Sequence, residues 1–199
     1  MKTMTTALSL FFLLFNSSSK ANNEEIQILA TYMRDAQTLV ETRAYLRVLN
    51  EQHRKGIKVN EKEAWIAADK VEQIAIYGCN CESIEQENML RSQAYAIAAG
   101  IYGILSKDKN DIKLGIKSYL GLIKARELNP YNTDAIKGQA VALNIILSKG
   151  WATRKIAAIA LGINLEDAQR ELIQDLRGFP ERKDLQELAD KLEAKLKGK

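Results

Sequence analysis

The stretch Ala125-Arg126-Glu127-Leu128-Asn129-Pro130-Tyr131-Asn132 decides what kind of fold this chain adopts. It reads as the end of one helix, a break, and the start of another. Pro130 disfavours helical backbone at Asn129. Asn132 is of the residue type that caps a helix by accepting backbone N–H bonds. Upstream, Ile112, Ile116, Tyr119, Leu120 and Ile123 recur at helical spacing, and downstream Ile136, Ala140, Leu143 and Leu147 do the same. Each set is the apolar stripe of one helix. A fourth helix is expected over 111–127, and a fifth from Asn132 to a close at Gly150.

The same grammar extends in both directions. Ile26, Leu29, Met33, Ala36 and Val40 mark a first helix that runs to about His53 and stops at Gly56, a residue suited to a left-handed cap. Asn60 followed by Glu63 opens a second, with Ala64, Ala68, Val71 and Ala75 on its face and Gly78 at its end. Ser83-Ile84-Glu85-Gln86 starts a third, whose face holds Leu90, Ala94, Tyr95, Ala98, Tyr102 and Leu105 before a charged turn at Ser106–Asn110. A sixth helix is expected from Thr153 to Leu161 with Gly162 as its stop. Asn164 caps a seventh that ends at Gly178. Pro180 precedes an eighth marked by Leu185, Leu188, Leu192 and Leu196. With 2 prolines and 11 glycines in 199 residues, little interrupts these runs. The expectation is an all-α fold of about eight helices and no strands. Short connections make neighbours antiparallel, giving stacked helical hairpins or an irregular bundle.

The N-terminal residues 1–21, MKTMTTALSLFFLLFNSSSKA, stand apart from this pattern. Lys2 gives a positive start, Ala7 to Phe15 an apolar run interrupted by Ser9 alone, and Ser19 and Ala21 small residues at a cleavage position. These are the three parts of a secretory signal, and the apolar run is too short to span a bilayer stably. The sequence therefore predicts a signal peptide over 1–21 and a single helical domain over 22–199, exported to the periplasm or secreted. No other stretch is apolar enough to span a membrane. The formal charge of +4 falls to +2 without Lys2 and Lys20. That is too near neutral to suggest a nucleic-acid partner. Cys79 and Cys81, with Asn80 between them, cannot build a disulfide framework. They leave open incidental thiols, one local disulfide, or a redox or metal role.

Two stretches resemble tetratricopeptide repeats, helical hairpins of about 34 residues with small and aromatic residues at set places. Ala125 to Pro130 is similar to the end of such a repeat. Tyr95, Ala98, Ala99 and Tyr102 are similar to its first helix, and Ala135, Ile136, Ala140 and Leu143 to the first helix of the next. Tyr102 and Pro130 stand further apart than in the repeat, so the helices here are longer, and the resemblance is confined to 87–163. It implies a scaffold rather than an enzyme, one that binds a protein or peptide in a groove around helices three to five and needs no cofactor. The groove positions it implies are Gln93, Asp134, Lys137 and Asn144.

Thr153 to Ala168 is also similar to a helix-turn-helix, with Ile156-Ala157 and Leu161-Gly162-Ile163 around the turn. Its second helix would begin Leu165-Glu166-Asp167 and present acids to phosphates, where cations are needed. A DNA-binding regulator is therefore the least favoured alternative. An envelope-acting enzyme, lytic or hydrolytic, ranks between the two. The chain has one histidine, His53, and no nucleophile, metal-ligand or phosphate-loop motif. An acid pair assembled in space would be needed. Trp65 and Trp151 are expected in the core or at hairpin contacts.

Overall fold

A computed structural model describes residues 23–78, 81 and 83–197. The expected signal peptide and Cys79 lie outside the described residues, as do the side chains of Ile26 and Leu29. The described residues form eight helices and no strand: α1 (Asn23–Arg54), α2 (Glu61–Tyr77), α3 (Ile84–Lys109), α4 (Ile112–Leu128), α5 (Thr133–Leu147), α6 (Trp151–Leu161), α7 (Leu165–Arg177) and α8 (Lys183–Lys197). None is long and apolar enough to cross a membrane.

Most helix starts are held by the side chain just before them. Asn60, Ser83, Asp111, Asn132 and Asn164 each accept a backbone N–H from the first turn of the next helix. Such caps satisfy N–H groups that have no partner inside the helix. Gly56, Gly78 and Gly162 take positive φ at helix ends, as their positions predict. Gly178 does not; its φ is −62°.

Two helices are central. α3 is packed by α1, α2, α4 and α5, whereas α5 is packed by α3, α4, α6, α7 and α8. One apolar core joins α1, α2 and α3, with Leu114 of α4 added. A second gathers Tyr119 of α4, Ile136, Ala140 and Leu143 of α5, and the leucines of α7 and α8. Between them lies a seam of small residues, Ala96, Ala99, Ala125 and Ala135, with Leu122. The α3–α4 hairpin closes tightly along it. A Cβ on Gly121 would stand 3.2 Å from the Ala99 Cβ, and one on Gly103 would stand 3.1 Å from the Ser118 Oγ. Ser118 and Ser92 of these helices donate to the carbonyls of Ala99 and Ala125 across the pair, at 2.7 and 2.6 Å.

Several expectations need correction. The inner face of α1 is Asp35, Leu39, Thr42 and Leu49, while Met33 and Val40 are exposed. The reason is tertiary: Leu46 sits over Gly100 of α3, where any Cβ would clash with it. The expected turn at Ser106–Asn110 is helical up to Lys109. The reversal is made by Asn110 in the left-handed region and by the Ser106 hydroxyl, which donates to the Asp111 carbonyl. The fifth helix stops at Ser148, and Gly150 precedes the sixth, which starts at Trp151. Ile112 and Leu120 of α4 are exposed, and the buried face is Leu114, Ser118, Tyr119, Leu122 and Ala125.

Candidate functional site

Of the four residues singled out by the repeat resemblance, one lies on α3 and three on α5. Gln93 is half-buried on α3. On α5, Asp134 pairs with Arg43 of α1. Lys137 reaches Asp184 of α8 at 2.6 Å. Asn144 accepts through its carbonyl from Lys195 of α8 at 2.8 Å. Each of these three α5 residues serves a contact to another helix.

An open cleft of about 420 Å³ lies instead over α3, between α2 and α4. Its floor is Tyr95, Ala98, Ala99 and Tyr102 of α3, kept low by the alanines and by Gly121 opposite. Glu72 and Ile76 of α2 form one wall, and Ile116, Leu120 and three lysines of α4 the other. The side chains at helical spacing on α4 therefore split between two tasks. Leu114, Tyr119 and Leu122 go to the cores, and Lys113, Lys117, Leu120 and Lys124 go to the cleft.

The middle lysine is held in place. Lys117 Nζ lies 4.1 Å from the centre of the Tyr102 ring, 2.9 Å from Glu72 Oε2 and 3.0 Å from the Tyr102 hydroxyl. Tyr102 donates to Glu72 at 2.5 Å and packs at a tilt against Trp65. Burial works against the Lys117 charge, but the hydrogen bonds to Glu72 and Tyr102 outweigh it and raise its pKa above the usual value. Burial also raises the Tyr102 phenol, with the bond to Glu72 acting in the same direction. A nucleophilic lysine needs its pKa lowered, whereas that of Lys117 is raised and its ammonium is held by Glu72. Lys113 and Lys124 are exposed and make no ion pair among the described residues. They stand 11 residues apart on one helix, about 16 Å at 1.5 Å per residue.

A second, smaller hollow of about 300 Å³ sits where the end of α1 meets the end of α3. There His53 Nδ1 lies 2.8 Å from Asp108, and Lys109 pairs with Glu61 at 2.7 Å. These contacts tie helix ends together. No group of three metal-binding side chains occurs among the described residues. The carboxyl whose pKa is raised is Asp175, pushed up by burial against the opposing pull of Arg126. It lines neither hollow.

The helix-turn-helix segment is α6, the Gly162 turn and α7. The cations of α7 are engaged within the chain: Arg170 with Glu166, and Arg177 with Asp190 and Glu193. The tryptophans divide. Trp65 packs on Tyr102, whereas Trp151 is 70% exposed, contrary to the expectation of a core or contact residue. Cys81 is disulfide-bonded, which removes the free-thiol reading for it. Sequence reasoning found Tyr95, Ala98, Ala99 and Tyr102 as packing residues but not the cleft above them. That cleft exists because α2 and α4 flank α3, a long-range fact that periodicity does not carry. The chain matches no protein-family profile, no curated protein and no solved structure.

Proposed function

We propose that this chain is an exported binding scaffold whose cleft over α3 takes a protein or peptide segment bearing both acidic and apolar side chains. The carrying observation is the cleft's chemistry. An apolar floor with tyrosines runs beneath a row of lysines, two of which, Lys113 and Lys124, make no ion pair among the described residues. Apolar side chains on a partner would cover Ile76, Leu120 and the alanine floor. Acidic ones about three helical turns apart would meet Lys113 and Lys124. The antiparallel pairing of α3 and α4, with α5 packed on both, supports a repeat-like scaffold. The apolar run at Ala7–Phe15 supports export.

The test is a labelled helical peptide carrying glutamates and leucines spaced for the cleft, titrated by fluorescence anisotropy. Binding should weaken at least about tenfold in the Lys113→Glu/Lys124→Glu chain and when the peptide's glutamates become glutamine. Equal binding to the charge-reversed chain would refute the assignment. For the compartment, N-terminal sequencing of the protein from its native cell should find a start near Asn22 in the exported fraction. A full-length cytoplasmic chain would refute export.

A further inference from the structure

The cleft leaves one feature unused. α6 carries apolar side chains on two faces. Leu161 is buried, and Arg154, Ala157 and Ala158 are half-buried, on the side that meets α4 and α5. The opposite side shows Ala152, Ile156, Ile159 and Ala160 to solvent, with Ile156 59% and Ile159 72% exposed. Trp151 opens the helix, and Lys155 Nζ lies 5.2 Å from the centre of its ring. Two isoleucines and a tryptophan left in water on one short helix are an unpartnered apolar stripe.

The charge around the stripe says what covers it. From Ala135 to Leu165 the chain has no Asp or Glu, although such residues number 25 overall. The same stretch holds Lys137, Lys149, Arg154 and Lys155. Lys137 is paired with Asp184, but Lys149, Arg154 and Lys155 make no ion pair among the described residues. An apolar stripe with tryptophan at its edge, with Lys149 and Lys155 unpaired beside it and no acid between Ala135 and Leu165, is the chemistry that lies flat in the headgroup region of an anionic bilayer. A second copy of the chain fits less well, because pairing two such faces brings like charges together.

We infer that α6 is a membrane-surface contact. It seats Trp151, Ile156 and Ile159 among lipid headgroups and acyl ends, with Lys149 and Lys155 on anionic phosphates. The helix is short and lies on the surface without spanning it.

Trp151 is its own reporter. In the full chain carrying Trp65→Phe, Trp151 is the one remaining tryptophan. Its emission is read with vesicles of phosphatidylcholine alone and of phosphatidylcholine mixed with phosphatidylglycerol. A local readout is needed because Ala7–Phe15 has its own affinity for lipid. The expected result is a blue shift and quenching by brominated lipid on the anionic vesicles, largely absent on the neutral ones. Changing Lys149→Gln or Lys155→Gln should weaken the partition about fivefold each. Ile156→Ser with Ile159→Ser should abolish the shift while circular dichroism stays unchanged. An emission unmoved by anionic vesicles overturns the proposal. So does a shift that survives the double serine change. A blue shift that grows with protein concentration in the absence of lipid, and disappears in the serine variant, assigns the face to self-association instead.

Discussion

Replacing Ser92 by alanine is the most informative perturbation of the fold. Ser92 is wholly buried on α3, and its hydroxyl makes two bonds. It donates to the Ala125 carbonyl at 2.6 Å and accepts from Asn132 Nδ2 at 2.8 Å. Asn132 in turn caps α5, its Oδ1 accepting from the Asp134 and Ala135 N–H groups at 3.1 Å each. One hydroxyl thus links the end of α4, the turn and the start of α5 to the middle of α3. In Ser92→Ala the Ala125 carbonyl keeps its bond from Asn129 N, but Asn132 Nδ2 is left buried without its acceptor. The lost bond and the stranded donor together cost about 2 kcal/mol. Asn132→Ala loses the cap, about 1 kcal/mol, and the bond to Ser92, about 1 kcal/mol more. The double variant loses the shared bond once and should cost about 3 kcal/mol, leaving a coupling of about 1 kcal/mol between neighbours in one network. Urea unfolding followed by circular dichroism measures all four corners. With a slope of about 2 kcal/mol per molar, the Ser92→Ala midpoint should fall by roughly 1 M. A loss under about 0.5 kcal/mol for Ser92→Ala, or strict additivity in the cycle, would refute the account of this turn.

Other perturbations probe other parts. Burial pushes the Tyr119 phenol up to about 12 from 10.0, against a smaller opposing pull from Arg126. The neutral form is favoured in the fold, so that stability is present below pH 10 and is lost as pH rises toward 12. Tyr119→Phe should remove this alkaline slope, measured as thermal midpoint against pH. Asp184 is held below the usual carboxylate range by its hydrogen bonds to Arg182 and Lys137. Its contribution is present above about pH 4 and fades as pH falls below that value. Asp184→Asn should flatten part of the acid limb in the same assay, and only modestly, since the pair is exposed. Gly121→Val forces a Cβ to 3.2 Å from Ala99 and adds two methyl groups in the α3–α4 seam. It should cost about 2–3 kcal/mol by urea unfolding; an unchanged midpoint would show that the seam is looser than described.

Local chemistry was the legible part of this fold. Asn60, Ser83, Asn132 and Asn164 cap the helices that their positions predict, and Gly56, Gly78 and Gly162 end others with positive φ. The stripes of α2, α5 and most of α8 are buried as read. What failed was set at a distance. α1 offers two stripes of helical spacing one residue apart, and the choice between them rests on Gly100 of α3. The stripe that won includes Asp35 and Thr42, which no hydropathy pattern selects. The ion-pair partners of Lys137 and Asp134 were not legible either, because Asp184 and Arg43 come from α8 and α1, far away in the chain. The cleft, likewise, is made by helices far apart in the chain: α2 supplies Glu72 and α4 supplies Lys117.

The alanine seam has a consequence for how the protein opens. Each flanking core sets leucines, isoleucines and a tyrosine among its alanines, whereas the seam has Leu122 as its one large aliphatic; a buried large apolar side chain contributes roughly 1.5–3 kcal/mol and a buried alanine methyl about 0.8. The two cores are therefore separate units, and α4 crosses between them, giving Leu114 to one side and Tyr119 to the other. Amide hydrogen exchange should resolve two partial openings of different free energy, one freeing α6 to α8 and one freeing α1 and α2. The amides of α4 would exchange only when the whole chain unfolds.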